Sequence, residues 1–192
     1  LPKIFEVHNN TFEKNKLNSQ TFKILFAGRN LRRKGLKNLI KAFLFEFKND
    51  KEVELIVAGK NTDNKNLMKF KQEEGNIKFI GVIKRDKLRE ILIDIDCVIM
   101  PSSFEGFGVI ALESMLAGCL TIVTEKCGVS NWTRKYPGGF VILNNSINQI
   151  RIGMRKAYRL GKISIKNRIY NINWSNKSYS PKIGSKKILS LE

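Results

Sequence analysis

Four short apolar runs in this chain each stop at a glycine or a proline, with amphipathic stretches between them. Phe22–Ala27 is stopped by Gly28, Val53–Ala58 by Gly59, Ile77–Ile80 by Gly81, and Cys97–Met100 by Pro101. Short apolar runs bounded by turn residues read as buried strands. Between the first two, Leu36, Leu39, Ile40, Phe43, Leu44 and Phe47 recur at helical spacing while Lys37, Lys41 and Lys48 fall elsewhere, which predicts a helix over Leu36–Phe47 with one buried face. The same reading predicts helices over Asn64–Glu74, Lys87–Ile93, Gly108–Leu116 and Ile152–Leu160, and strands over Leu120–Val123 and Phe140–Leu143. Strands alternating with helices give an α/β fold, a Rossmann-like doubly wound parallel sheet of about six strands. Ligands of such sheets bind beyond the carboxyl ends of the strands, so the strand-terminal glycines mark the functional edge.

Composition narrows the partners. The chain has 192 residues, 42% of them hydrophobic, enough for one domain with a core. Its 14 Gly and 4 Pro argue against a collagenous or low-complexity chain. The most apolar stretch, Ile91–Met100, is broken by Asp94 and Asp96 and falls short of the roughly 20 residues of a spanning helix. Three cysteines (Cys97, Cys119, Cys127) argue against a disulfide framework and predict buried free thiols in a reducing compartment. One histidine, His8, lies far along the chain from any nucleophile, against a Ser/His/Asp or Cys/His device. Leu1 and Pro2 open the chain without an initiator Met, so upstream domains and targeting signals are left open.

Lys and Arg number 35 against 17 acids, a net charge of +18. Residues 151–192 hold eleven of those cations and the single acid Glu192, a balance of +10. Asn171–Gly184, rich in Asn and Ser, reads as a connector. The organisation expected is an entry segment over residues 1–20, a Rossmann-like domain over 21–170, and a basic connector or helix over 171–192.

Two segments carry chemistry. Pro101-Ser-Ser-Phe-Glu105-Gly-Phe-Gly108-Val-Ile-Ala-Leu-Glu113 runs from a strand through a flexible loop into a helix. Its glycines let backbone N–H groups at the helix N-terminus face a ligand, and the helix dipole favours anions there. Glu105 and Glu113 would repel a diphosphate head-on, so they suit sugar and ribose hydroxyls. On the residues alone, the pair also reads as a helix cap and a solvated acid. Gly28-Arg29-Asn30-Leu31-Arg32-Arg33-Lys34-Gly35 follows the first strand, and its fixed charge suits phosphate. Charge alone does not choose among its four cations, and a solvated basic loop would look the same.

Gly-Arg-x-x-x-x-Lys-Gly after the first strand, Val-Ala-Gly after the second, Phe79-Ile-Gly81-Val after the third, Pro-Ser-x-x-Glu-Gly-Phe-Gly-x-x-x-Leu-Glu after the fourth, and Ala117-Gly118 before the fifth resemble retaining glycosyltransferases of family 4. The resemblance covers about residues 22–143 and implies the C-terminal, nucleotide-sugar-binding half of a GT-B enzyme, its acceptor domain lying upstream. Glu6-Val-His-Asn-Asn10 resembles the interdomain Asn-Gly segment. The resemblance implies that Arg29 and Lys34 grip the donor diphosphate and stabilise the leaving group, that Glu105 bonds the transferred sugar, and that Glu113, two turns into its helix, holds the ribose. Gly28, Gly106, Phe107, Gly108 and Val109 would line the sugar and phosphates, and Val82 and Ile83 would flank the base. It further implies same-face transfer of a hexose-type sugar with no metal and no cofactor beyond the nucleoside diphosphate sugar. The acceptor would be a glycan or a lipid-linked molecule of cell-surface polysaccharide or lipopolysaccharide synthesis. Alone, the 192-residue chain would not transfer sugar.

The chain departs from the pattern. Cys127-Gly-Val-Ser-Asn131-Trp132 stands where the family often has a Glu, and Gly59-Lys60-Asn61 replaces acidic or glycine residues. Lys60 reads as solvated rather than as a phosphate contact. Asp94-Ile-Asp96 looks like the metal-binding Asp-x-Asp of another glycosyltransferase fold, but its place before the fourth strand makes it a structural turn. The expected location is cytoplasmic, with peripheral attachment to the inner face of a membrane where the basic tail meets anionic lipid rather than the missing domain. A nucleic-acid module shares the charge but not the motifs, so no nucleic acid is expected. A non-catalytic nucleotide-sugar-binding module is the remaining alternative.

Overall fold

The computed structural model describes residues 21–29, 32–60, 70 and 76–179. The expected Asn64–Glu74 helix (save Phe70), the Glu6–Asn10 segment, His8, and Asn61 lie outside them, as does the chain from 180 onward.

Six strands form one parallel sheet: β1 Phe22–Ala27, β2 Val53–Ala58, β3 Ile77–Gly81, β4 Cys97–Met100, β5 Leu120–Thr124 and β6 Gly139–Ile142. Their order is β3-β2-β1-β4-β5-β6. Every neighbouring pair is parallel, with Ile24 opposite Leu55 on one side and Cys97 on the other. The burial of each strand follows its place. β4 and β5 are buried at every residue, as strands covered on both faces must be, whereas the edge strand β3 alternates. The sequence-predicted limits of β1, β2 and β4 hold unchanged, and β6 begins one residue before the expected Phe140.

Helices α1 Leu36–Phe47, α2 Arg85–Ile93, α3 Val109–Leu116, α4 Ser130–Lys135, α5 Ile147–Arg159 and α6 Ile165–Ser178 cover the sheet. One face buries Phe22, Ile24 and Phe26 of β1 against Leu36, Leu39, Ile40 and Phe43 of α1 and Ile150, Met154 and Ala157 of α5. On the other face, Leu25 and Val98 meet Leu92 and Ile95, and Met100 and Val123 meet Ala111 and Met115 of α3. At about 25 cal/mol per Å2 of apolar surface, fully burying such a side chain contributes roughly 1.5–3 kcal/mol.

Three expectations are corrected. α5 starts at Ile147, not Ile152, because Ser146 accepts from Gln149 N–H at 3.4 Å and Gln149 Oε1 accepts from Leu143 N–H at 3.2 Å, so the helix is anchored a turn earlier than its apolar pattern shows. α4 was not expected, being too short to show a period. Asn171 to Ser178 is not connector but the second half of α6. Its polar residues are used inside: Asn171 Nδ2 donates to Gly118 O at 3.2 Å, and Ser175 Oγ to Met115 O at 2.9 Å. Arg168, counted in the sequence as part of a basic tail, is fully buried and donates to Leu92 O and Ile93 O at the end of α2 and to Ile95 O just beyond it. Asp94 and Asp96 serve structure as expected: Asp94 pairs with Lys23, and Asp96 Oδ2 accepts from Lys23 N–H at 3.0 Å.

Candidate functional site

The strand order reverses direction between β1 and β4, so the loops leaving these two strands diverge and open a crevice at the carboxyl edge. Both chemistry-bearing segments lie there. The β1–α1 loop spans residues 28–35 and the β4–α3 loop residues 101–108.

Gly35 holds the first loop against the second. Its φ of 75° lies in the left-handed region, and a Cβ there would come 2.2 Å from Pro101 O. Gly28 leaves room for the Lys34 stem, whose Cγ would be 3.1 Å from an added Cβ. Lys34 therefore reaches over the end of β1 to place Nζ 2.6 Å from Glu105 Oε2, with both side chains largely shielded from water. Arg33 Nη1 lies 3.2 Å from the same oxygen. Two cations share one carboxylate, so the cluster keeps a surplus positive charge that suits an anion.

The β4–α3 loop is pinned from its other side. Glu105 N–H donates to Lys126 O at 3.1 Å, Gly128 N–H to Glu105 O at 3.0 Å, and Val129 N–H to Phe107 O at 2.9 Å. Its carbonyls are thus engaged by Gly128 and Val129, whereas the N–H groups of Gly106 to Val109 have no acceptor among the described residues. The departing sequence Cys127-Gly-Val-Ser is therefore a brace for this loop, with Cys127 Sγ–H donating to Phe107 O at 3.4 Å. Burial raises the pKa of the Cys127 thiol, which keeps it protonated and inert. Gly108, at φ 96°, starts α3, and a Cβ there would lie 2.6 Å from Met100 Cε.

Both α1 and α3 begin at left-handed glycines with no side-chain cap; α2 and α4 also lack one, whereas α5 and α6 are capped by Ser146 and Ser164. The two helices whose N-termini open on the crevice thus leave their N–H groups and positive dipole ends to it. Glu113 lies half-buried on α3. Because the helix begins at Val109, Glu113 is a little over one turn in, not the expected two.

The predicted residues do not all meet. Lys34, Glu105 and Gly28 are together, and Gly106, Phe107, Gly108 and Val109 lie along the same loop and helix start. Arg29 lies exposed just past β1. Val82, 69% exposed, and Ile83, packed against the core, follow β3. Three inter-strand spacings, roughly 14 Å, separate β3 from β4, so only an extended ligand could touch both Val82 and Glu105. Arg33 was missed as an individual. The only sequence signal for it is its membership of the basic loop, since which of four adjacent cations turns toward Glu105 is settled by the loop's packing. Trp132 was likewise missed. Its ring meets Phe107 edge-on at 5.6 Å and stacks on Tyr179 at 5.1 Å, tying the end of α6 to the loop.

Comparison with known proteins agrees with this architecture. The model of the family described as "Glycosyl transferases group 1" matches residues 7–172. An uncharacterized glycosyltransferase of Methanocaldococcus jannaschii is 29% identical over 139 residues, 70% of this chain and 35% of that protein. Among solved structures, WaaG, a glycosyltransferase involved in lipopolysaccharide biosynthesis, superposes with a TM-score of 0.70 at 21% identity, covering 92% of this chain and 49% of WaaG. The C-terminal domain of a group 1 family glycosyl transferase from Francisella tularensis gives 0.64 at 23% identity over 88% of both chains. The chain spans about a third of the length of the curated relatives it matches.

Proposed function

The chain belongs to the glycosyl transferases group 1 family, with the Rossmann-like fold of GT-B C-terminal domains, and from that premise we propose that it is the donor-binding half of a retaining, metal-independent hexosyltransferase. The observation that carries this reading is the Lys34–Glu105 pair at the β1/β4 crevice, set between two uncapped helix N-termini. In this reading, the donor diphosphate lies over the start of α3 and takes charge from Arg29 and Lys34. Glu105 accepts from hydroxyls of the transferred sugar, Glu113 from the ribose, and Val82 and Ile83 flank the base. As the glycosidic bond breaks, negative charge builds on the leaving diphosphate. Fixed cations and backbone N–H groups stabilise that charge more than they stabilise the bound donor, which is what lowers the barrier.

The acceptor class we propose is a glycan or lipid-linked molecule of cell-surface polysaccharide or lipopolysaccharide synthesis, reached from the cytoplasmic side. The neighbour WaaG is involved in lipopolysaccharide biosynthesis, and the strongly basic sequence suits an anionic lipid surface. No helix among the described residues is long and apolar enough to cross a membrane. Calorimetry with UDP-, GDP- and ADP-glucose tests the donor site. Arg29→Ala is expected to weaken the tightest-binding member about tenfold or more, and Glu113→Ala by less. Unchanged affinity in both variants would defeat the assignment.

A further inference from the structure

Arg33 stands in the middle of a basic loop, where charge alone gives it no role different from Arg29 or Arg32. Its contacts do. Nη1 donates to Phe104 O at 2.7 Å and to Glu105 Oε2 at 3.2 Å. Its carbonyl accepts from Ser103 N–H at 2.9 Å and from Ser103 Oγ–H at 3.2 Å. One residue of the β1–α1 loop thus engages three consecutive residues of the β4–α3 loop, Ser103, Phe104 and Glu105, across the point where the strand order reverses. The side chain remains 40% exposed, so it is not part of the core. Lys34 Nζ approaches the same Glu105 oxygen that Arg33 does, which leaves Oε1 as the oxygen without a cation in these contacts.

We propose that Arg33 is a positioning residue: it latches the two crevice loops together and aims the Glu105 carboxylate, so that one oxygen is held by Arg33 and Lys34 and the other is presented to a hydroxyl of the bound sugar. This rests on the donor-site reading above. A group that acts through Glu105 affects the sugar, not the phosphates, and this separates it from a direct phosphate ligand such as the one proposed for Lys34. Both bonds leave the single Nη1, whose two N–H bonds are fixed in the guanidinium plane, whereas lysine keeps the charge as a rotating ammonium on a stem that does not fix those two directions.

The test uses this chain with Arg33→Ala and Arg33→Lys. Hydrogen exchange without ligand is expected to show the Ser103 and Glu105 amides of Arg33→Ala exchanging about tenfold faster, with exchange in β2 unchanged and Arg33→Lys intermediate. Calorimetry with UDP, GDP and ADP against their glucose conjugates is expected to show the sugar-bearing ligand weakened about tenfold in Arg33→Ala and the bare diphosphate little changed. Equal weakening of both would make Arg33 a phosphate ligand and overturn the proposal, as would unaltered exchange at Ser103 and Glu105. If the wild type binds none of the six probes, the donor-site reading falls, while the exchange measurement still decides whether Arg33 latches the loops.

Discussion

At Gly35 a single methyl group would meet both a backbone conformation that disfavours it and a carbonyl oxygen in its way. With φ at 75° and Pro101 O at 2.2 Å from the added carbon, Gly35→Ala must push the β1–α1 loop off the end of β4. The expected loss is about 2–4 kcal/mol of stability by urea denaturation, with loss of nucleotide binding as Lys34 and Glu105 separate. The thiols give a second prediction. Cys97, Cys119 and Cys127 are free and buried, and burial raises the pKa of Cys97 and Cys127. A thiol reagent at pH 8 should therefore modify the native protein slowly, at a rate limited by opening, and the three thiols promptly in denaturant. Lys34 and Glu105 were named through the family resemblance, which specifies the Lys of Gly-Arg-x-x-x-x-Lys-Gly and the Glu of Glu-Gly-Phe-Gly, whereas Arg33 stands at an unspecified position of the same motif. Its partners are some seventy positions away.

Among the elements, α1 and α5 are joined by a charged clamp. Glu46 of α1 accepts from Arg151 and from both Arg155 Nε at 2.8 Å and Arg155 Nη2 at 2.6 Å, while the Arg151 guanidinium lies over the Phe45 ring at 3.5 Å. The hydrogen bonds from Arg155 first, with those from Arg151, outweigh burial and hold the Glu46 pKa below its ordinary value. A folded pKa below the unfolded one gives a stabilisation that is complete above about pH 4.3 and is lost as pH falls through the folded value. Glu46→Gln should therefore cost about 1–3 kcal/mol at pH 7, and the gap from wild type should narrow at pH 3 in urea titrations. At the far end of the sheet, Arg168 of α6 satisfies the last carbonyls of α2. Arg168→Met leaves these without their charged donor and is expected to cost at least about 1–3 kcal/mol by the same measurement, the penalty for one buried carbonyl left unpaired. The apolar period of α1 was legible because one face carries it. α6 was not, because its anchors are polar side chains whose partners lie on distant elements, and the start of α5 was not, because it is set by a local polar cap, Ser146 with Gln149, that an apolar period does not show.

On the scale of the whole molecule, three of the cations assigned to a basic tail are committed internally: Arg151 and Arg155 to Glu46, and Arg168 to α2. The chain corresponds to about a third of its curated relatives, so by itself it is expected to bind a nucleoside diphosphate sugar without transferring the sugar. Calorimetry paired with a transfer assay, run on the 192-residue chain, checks this, and transfer by that chain would refute it. The sequence by itself determined the strands, their parallel α/β class and the edge on which the two motif-bearing loops lie, because periodicity and strand-terminal glycines are local properties written within a few residues. Only the tertiary structure decided the order β3-β2-β1-β4-β5-β6, which sets β1 beside β4. It alone also decided that Arg33 joins Lys34 at Glu105, that α6 is a packed helix, and where part of the tail's charge is used. These depend on contacts between residues far apart in the chain, whose partners no local pattern names.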